Sequence, residues 1–300
     1  MNVYYQSLKK GTVVKKYFGR KFIAWCLVII IIQGIWESYN ILEINGYPFH
    51  TSKASNSFKI VVIADLHDHE FTSGNLRLVD KIRTENPDLI LMVGDFLNGD
   101  SEDARVPLEF IENLGTDTPI YFSLGNHEID YMDTGHPELI EQLEEAGAVV
   151  VEKEYEDIDI DDTPVRIGGM YDYAYGAGSI ENEAKLAKPE VKEFLEDIQD
   201  TDVLKIMMAH RPDSFIFGDA SKVWGIDLVV SGHLHGGQVV LPLLGGLYAG
   251  DQGFFPKYIH GMYKKDKMNI FITAGLGSHT QLLPRFNNPP EIAVLNIKKH

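Results

Sequence analysis

The chain is short of cysteine and of positive charge. Its single cysteine, Cys26, excludes a disulfide within the chain and any thiolate metal site. Lys and Arg number 27 against 44 Asp and Glu, for a net charge of -17. That balance argues against a nucleic-acid partner, because a phosphate backbone needs a basic face. It also clashes with any other anionic substrate unless cations mediate the contact. There is no internal repeat and no low-complexity segment. Apolar residues are not scarce: 44% of the 300 are hydrophobic, enough for a sizeable core.

The cations are concentrated at the start. Lys9, Lys10, Lys15, Lys16, Arg20 and Lys21 precede residue 22 with no acid among them. FIAWCLVIIIIQGIW (22–36) follows, with Gln33 as its one polar member. A spanning helix wants about 20 apolar residues and a signal-peptide core about 7–15. Tyr17, Phe18, Tyr39, Ile41 and Leu42 extend the run, Arg20 and Lys21 can snorkel, and no small-x-small cleavage site follows. Residues 1–44 are therefore expected to be a basic N-terminus with an uncleaved transmembrane helix. A cleaved signal and a buried core helix are the alternatives. Positive charge stays in the cytoplasm, which puts the rest of the chain on the extracytoplasmic side of the membrane.

Residues 45–57 (NGYPFHTSKASNS) are polar, with Gly and Pro, and read as a linker to a domain at 58–300. From Phe58 the pattern is α/β. Apolar runs at 58–64, 88–94, 119–125, 203–209, 226–232 and 269–275 read as buried strands. Helical spacing appears at 75–86, 107–114, 137–147 and 189–200, and alternation over 149–170 suggests antiparallel strands. Strands suffice for two sheets packed face to face under helices.

Five strands hand over directly to polar clusters: Asp65-Leu66-His67, Asp95-Phe96-Leu97-Asn98, Asn126-His127-Glu128, His210-Arg211 and His233-Leu234-His235. Ligand sites in open α/β sheets form outside the carboxyl ends of strands. Each cluster alone is an ordinary turn, but together they point to one convergent metal site. Carboxylate, amide and imidazole suit Mn²⁺, Fe or Zn²⁺. More than six candidate ligands are too many for one four-coordinate ion and fit two bridged divalent ions, which also give a phosphate a positive well in an acidic body. Strand alternation puts Asp65 and His67 on one side, and His233 and His235 likewise if extended.

In this order the clusters resemble the five-block pattern of calcineurin-like metallophosphoesterases. The tail Gly275-Leu276-Gly277 through Arg285-Phe286-Asn287 and Pro289-Pro290-Glu291 resembles the membrane-associated bacterial branch of that family. The resemblance implies a four-layer αββα sandwich with two mixed β-sheets. It implies one metal on Asp65, His67 and His235, another on Asn126, His210 and His233, and Asp95 bridging. His127 would assist the leaving group, and a metal-bound hydroxide would attack phosphorus in line. Asn98 stands at a variable place in that pattern, as a group behind the ligands or a mere turn former.

The expected activity is a membrane-anchored phosphodiesterase. A phosphomonoesterase or pyrophosphatase of lipid-linked substrates, or a non-catalytic metal-stabilised binding module, is the alternative. Metallo-β-lactamase-like and amidohydrolase readings fail, because Gly236-Gly237-Gln238 follows the His pair and the first strand ends in Asp65-x-His67. His69, Arg211 and Arg285 are candidate substrate contacts, while Asp68 and Glu70 are expected to line the rim or face water. The Gly-rich aromatic stretches 171–186 and 242–263 either tuck into the core or form an apolar lip for an acyl chain or bilayer. His50, His136, His260, His279 and His300 receive no role.

Overall fold

A computed structural model describes residues 2–171, 183–250, 252–279 and 283–300. Most of the 171–186 stretch therefore lies outside the described residues. Helix α1 (Asn2–Asn40) comes first. Its segment Lys21–Asn40 is 20 residues long with mean hydropathy 1.7, and is the one described helix long and apolar enough to cross a membrane. Phe22, Trp25 and the run Ile29–Ile32 are exposed.

The first sheet holds β1 (Glu43–Thr51), β2 (Phe58–Ile63), β3 (Leu89–Val93), β4 (Ile120–Ser123) and β5 (Val149–Val150). The second begins with β6 (Glu154–Ile160), β7 (Thr163–Met170), β8 (Leu204–Ala209) and β9 (Leu228–Ser231). Two small hairpins follow, β10 (Val240–Leu241) with β11 (Gly245–Gly246), and β12 (Tyr248–Ala249) with β13 (Gly253–Phe254). β14 (Gly261–Lys265) and β15 (Met268–Ile272) complete the second sheet, and β16 (Glu291–Lys299) returns to the first. Strand orders are β1-β16-β2-β3-β4-β5 and β14-β15-β9-β8-β7-β6. Both sheets are mixed: β16 runs antiparallel to β2, and β6 and β14 run antiparallel to their neighbours.

Alternation along each strand builds the layers. Ile60 and Val62 of β2 meet Ile206 and Met208 of β8 between the sheets. Val61 and Ile63 face outward onto α2 (Leu76–Thr84), α3 (Arg105–Leu114) and, past the short α4 (Asn126–Asp133), α5 (Leu139–Glu145). Met207 and Ala209 face α6 (Pro189–Ile198) with α7 (Asp213–Ile216) and α8 (Ala220–Val223). The result is the expected αββα sandwich.

The linker reading of 45–57 is corrected. Residues 43–51 form the edge strand β1, parallel to β16. Only Phe49 of β1 is buried, so its composition carries no apolar run, and Pro48 is tolerated because one side of an edge strand needs no ladder bonds. The folded body therefore starts before residue 58. It also reaches into α1. Gly34 lies so close to Phe286 that a Cβ would come within 2.5 Å of the ring. Ser38 Oγ accepts from the Asn288 amide at 3.0 Å, and Tyr39 OH accepts from the Arg285 amide at 3.1 Å.

Candidate metal centre

The five clusters converge at the carboxyl ends of β2, β3, β4, β8 and β9. Three overlapping groups have ligand atoms within 4.8 Å of one another: Asp65, His67 and His235; His67, Asp95 and His127; and Asp95, His210 and His233. His210 Nε2 faces Asp95 Oδ2 at 2.9 Å, and His235 Nε2 lies 3.9 Å from Asp65 Oδ1. Asn126 is the first residue of α4, with Arg211 Nε 3.4 Å from its Oδ1.

Strand alternation is not what aims these side chains. β2 stops at Ile63 and β9 at Ser231, and beyond them Asp65, His67, Asp95, His233 and His235 sit at φ of 56°, 50°, 57°, 69° and 44°. Non-glycine residues avoid that left-handed region, at a cost of about 1–3 kcal/mol each, unless the surroundings enforce it. Here they do: the Asp65 amide donates to Gly94 O, the His67 amide to Asp95 O and the His233 amide to the Asp65 carboxylate. Gly94, at φ 71°, leaves the space in which a Cβ would meet His210 Nδ1 at 2.7 Å.

The surrounding bonds orient the ligands. His210 Nδ1 bonds Val93 O at 2.8 Å, so that nitrogen carries the proton and Nε2 presents its lone pair. Asn98 Oδ1 lies 3.0 Å from His67 Nδ1, while its Nδ2 donates to Asp68. His67 Nδ1 is therefore the donor, and Asn98 acts behind the ligand rather than as a bare turn former. The Gly99 amide donates to His127 Nδ1 at 3.1 Å, which leaves Nε2 of a neutral His127 as an N–H. Glu128 accepts from the Asp95, Phe96 and Gly125 amides and clamps two of the turns together. Burial, with the Asp95 charge behind it, pushes the Glu128 carboxyl up to about 7.

This donor set fits divalent cations. Among the described residues, His67 Nε2 and His235 Nδ1 are buried without hydrogen-bond partners, an arrangement that costs about 1–3 kcal/mol per group unless a ligand meets them. Burial also pushes Asp65 up to about 7, and the Asp95 carboxylate adds to the rise. Cations would reverse that pressure.

Two expected substrate contacts are corrected. Arg285 is fully buried and commits its guanidinium to the carbonyls of Ala274, Gly275, Gly277, Asn288 and Pro289. His69 turns away to α1, with Nε2 3.1 Å from Tyr39 O and its ring against Phe71. Asp68 is no rim residue either, since it accepts from Asn98 and from Ser101 Oγ. Glu70 pairs with Arg105 at 2.8 Å. The reading from sequence missed His279, whose ring centroid lies 5.4 Å from that of His127. Only its place shortly after a strand end, Ile272, signalled it.

A family model described as calcineurin-like phosphoesterase matches residues 58–237, more than half of the chain. An uncharacterized metallophosphoesterase of Campylobacter jejuni is 26% identical over 275 residues, covering 90% of this chain and 67% of that one. The uncharacterized metallophosphoesterase YkuE of Bacillus subtilis is 29% identical over 262 residues, 83% of this chain and 84% of its own. Phosphodiesterase YaeI of Escherichia coli is 29% identical over 245 residues, 80% and 82% of the two chains.

Proposed function

The chain belongs to the calcineurin-like phosphoesterase family, a metallophosphoesterase by that membership, and we propose that it is a membrane-anchored phosphodiesterase working with two divalent cations. The observation that carries this is the overlap of three ligand groups around buried imidazole nitrogens that lack partners. Asp65, His67 and His235 would hold one ion, Asn126, His210 and His233 the other, and Asp95 would bridge them. Mn²⁺, Fe and Zn²⁺ all suit such donors. When bound, the ions supply Lewis acidity toward phosphoryl oxygens and toward a nucleophilic water.

The chain's own residues do the rest. His127 is oriented by the Gly99 amide so that its remaining N–H is a hydrogen-bond donor, which suits it to stabilise the charge developing on the departing oxygen. Its amide also holds Asp95 Oδ1 at 2.9 Å, fixing the bridging carboxylate. Arg211, beside Asn126, is the proposed phosphate contact. A non-catalytic module would have no use for an imidazole oriented as a donor. The diester preference draws support from the name of the E. coli relative, a phosphodiesterase.

The anchor is read as uncleaved because the last turns of α1 are packed into the body through Gly34, Ser38 and Tyr39. With the basic flank in the cytoplasm, the catalytic domain lies on the extracytoplasmic side. A lipid-linked diester or pyrophosphate is favoured by the two small hairpins. Leu243, Leu244, Phe254 and Phe255 are all more than half exposed there, and Leu247 between them bonds back to Gly237, two residues past His235.

The test is the full chain purified in detergent, analysed for metal and assayed on bis-(p-nitrophenyl) phosphate and on p-nitrophenyl phosphate. Activity on the diester with two equivalents of metal is expected. No turnover of either ester with Mn²⁺, Zn²⁺ or Fe²⁺ would sink the catalytic reading. Metal binding without turnover would favour the binding module.

A further inference from the structure

The turn from Asn98 to Ser101 holds two imidazoles and lies beside a third. Asn98 holds His67, the Gly99 amide holds His127, and Asp100 Oδ1 lies 3.8 Å from Nε2 of His279. The His279 ring stands 5.4 Å from His127 at 72° and 6.2 Å from His67 at 23°, measured between ring centroids. It arrives from another direction, on the segment after β15. That segment is pinned by the Leu276 amide on Ala64 O and by paired bonds between Ser278 and Gln238.

His279 belongs to none of the described ligand groups, and its side chain is 36% exposed. It lies beyond the matched span 58–237, so it is not part of the shared blocks. Asp100 at 3.8 Å is too far for a direct hydrogen bond. An imidazole carries at least one N–H in every tautomer and charge state. Here one is set at the open edge of a candidate cation site, beside His127.

We propose that His279 is a substrate-binding residue, holding an anionic phosphoryl oxygen through its N–H on the His127 side of the centre. The proposal rests on the phosphoester reading above.

The probe is inorganic phosphate, titrated calorimetrically into the metal-loaded full chain in detergent, beside steady-state kinetics on bis-(p-nitrophenyl) phosphate. His279→Ala should weaken phosphate binding and raise KM by about tenfold or more, the scale of one hydrogen bond to a charged group, with kcat changing less and metal content unchanged. His279→Gln keeps an N–H donor and should recover most of the loss. Phosphate affinity and KM within about twofold of the parent would overturn the proposal. So would loss of metal in either variant, or a parent that binds no phosphate. Phosphate binding is read without turnover. A parent that binds phosphate but hydrolyses nothing would therefore defeat the catalytic reading and leave this one standing.

Discussion

Two regions of this molecule bury charge in irregular backbone, and they do opposite things with it. In the candidate metal centre, two carboxylates and several imidazoles crowd together, with ring nitrogens that meet no partner among the described residues. In the segment behind it, from the end of β15 to the first residue of β16, the buried charges among the described residues are met. Arg285 is caged by five carbonyls. Glu291 accepts from Asn45, Tyr47 and His260 at one oxygen and from Thr273 and the Ala274 amide at the other. A buried charge that is completely satisfied is a lock, whereas one left facing others of its kind calls for an outside ligand. The two regions touch, since Asn288 donates to His235 O at 2.6 Å while its own amide donates to Ser38.

The largest expected effect separates chemistry from ligation in the first region. His127→Ala should keep both metals and lower kcat by about 10²–10³-fold, the range for losing one hydrogen-bond donor to transition-state charge. Metal analysis beside the rate decides it. Lost metal would make His127 a ligand, as its place in one of the three groups also permits.

The matching substitution in the second region should act on stability. Arg285→Ala leaves five carbonyls without their donor, and unfolding should become easier by roughly 3 kcal/mol or more. A melt of the full chain unchanged from the parent would mean that the cage is no lock. Because the guanidinium is buried, no phosphate contact should be lost: kcat and KM of the folded fraction should stay near the parent's.

The lock also predicts a pH profile. Burial alone would raise the Glu291 carboxyl, but the bonds and charge from His260 and the bond from Tyr47 outweigh it and hold it down to about 2, from an ordinary 4.5. Its stabilisation, roughly 3 kcal/mol, is complete above 4.5 and fades as pH falls toward 2. For His260 burial works against the charge, and Glu291 overcomes it to raise the imidazole above its usual 6.5. That contribution is complete below 6.5 and fades as pH rises past it. The pair should therefore help most between 4.5 and 6.5. Melts of the parent and Glu291→Gln across pH 3–9 should differ most inside that window. A difference that grows steadily toward alkaline pH would overturn the assignment.

The sequence showed the first region far better than the second, for a physical reason. Metal ligands are named by residue type and strand ends by local apolar runs, so Asp65, His67, Asp95, His210, His233 and His235 stood out one cluster at a time. What aims all of these but His210, positive φ enforced by bonds to neighbouring strands, leaves no mark on the sequence except Gly94. In the second region the partners are backbone carbonyls, which every residue has, so nothing distinguished the Arg285 cage from a phosphate contact. β1 was hidden likewise, because its partner β16 lies almost the whole chain away and backbone bonds hold it. His279 fell between these cases, a ligand-type residue in a stretch without a cluster.

The smallest effect bears on whether the regions are separate at all. Ser38 Oγ accepts from the buried Asn288 amide and donates to Gly34 O at 2.7 Å inside α1. Ser38→Ala removes the acceptor and should cost about 1 kcal/mol, the low end for a buried donor left unmet. If Asn288 shifts, its other bond, to His235 O, loosens with it. Metal affinity should then fall a few-fold while kcat at saturating metal holds, because no reacting group has moved. A drop in stability with metal affinity unchanged would show a lock that merely lies next to the centre. A fall in metal affinity would mean that the end of α1 helps set the His235 loop, and that the two regions work as one support.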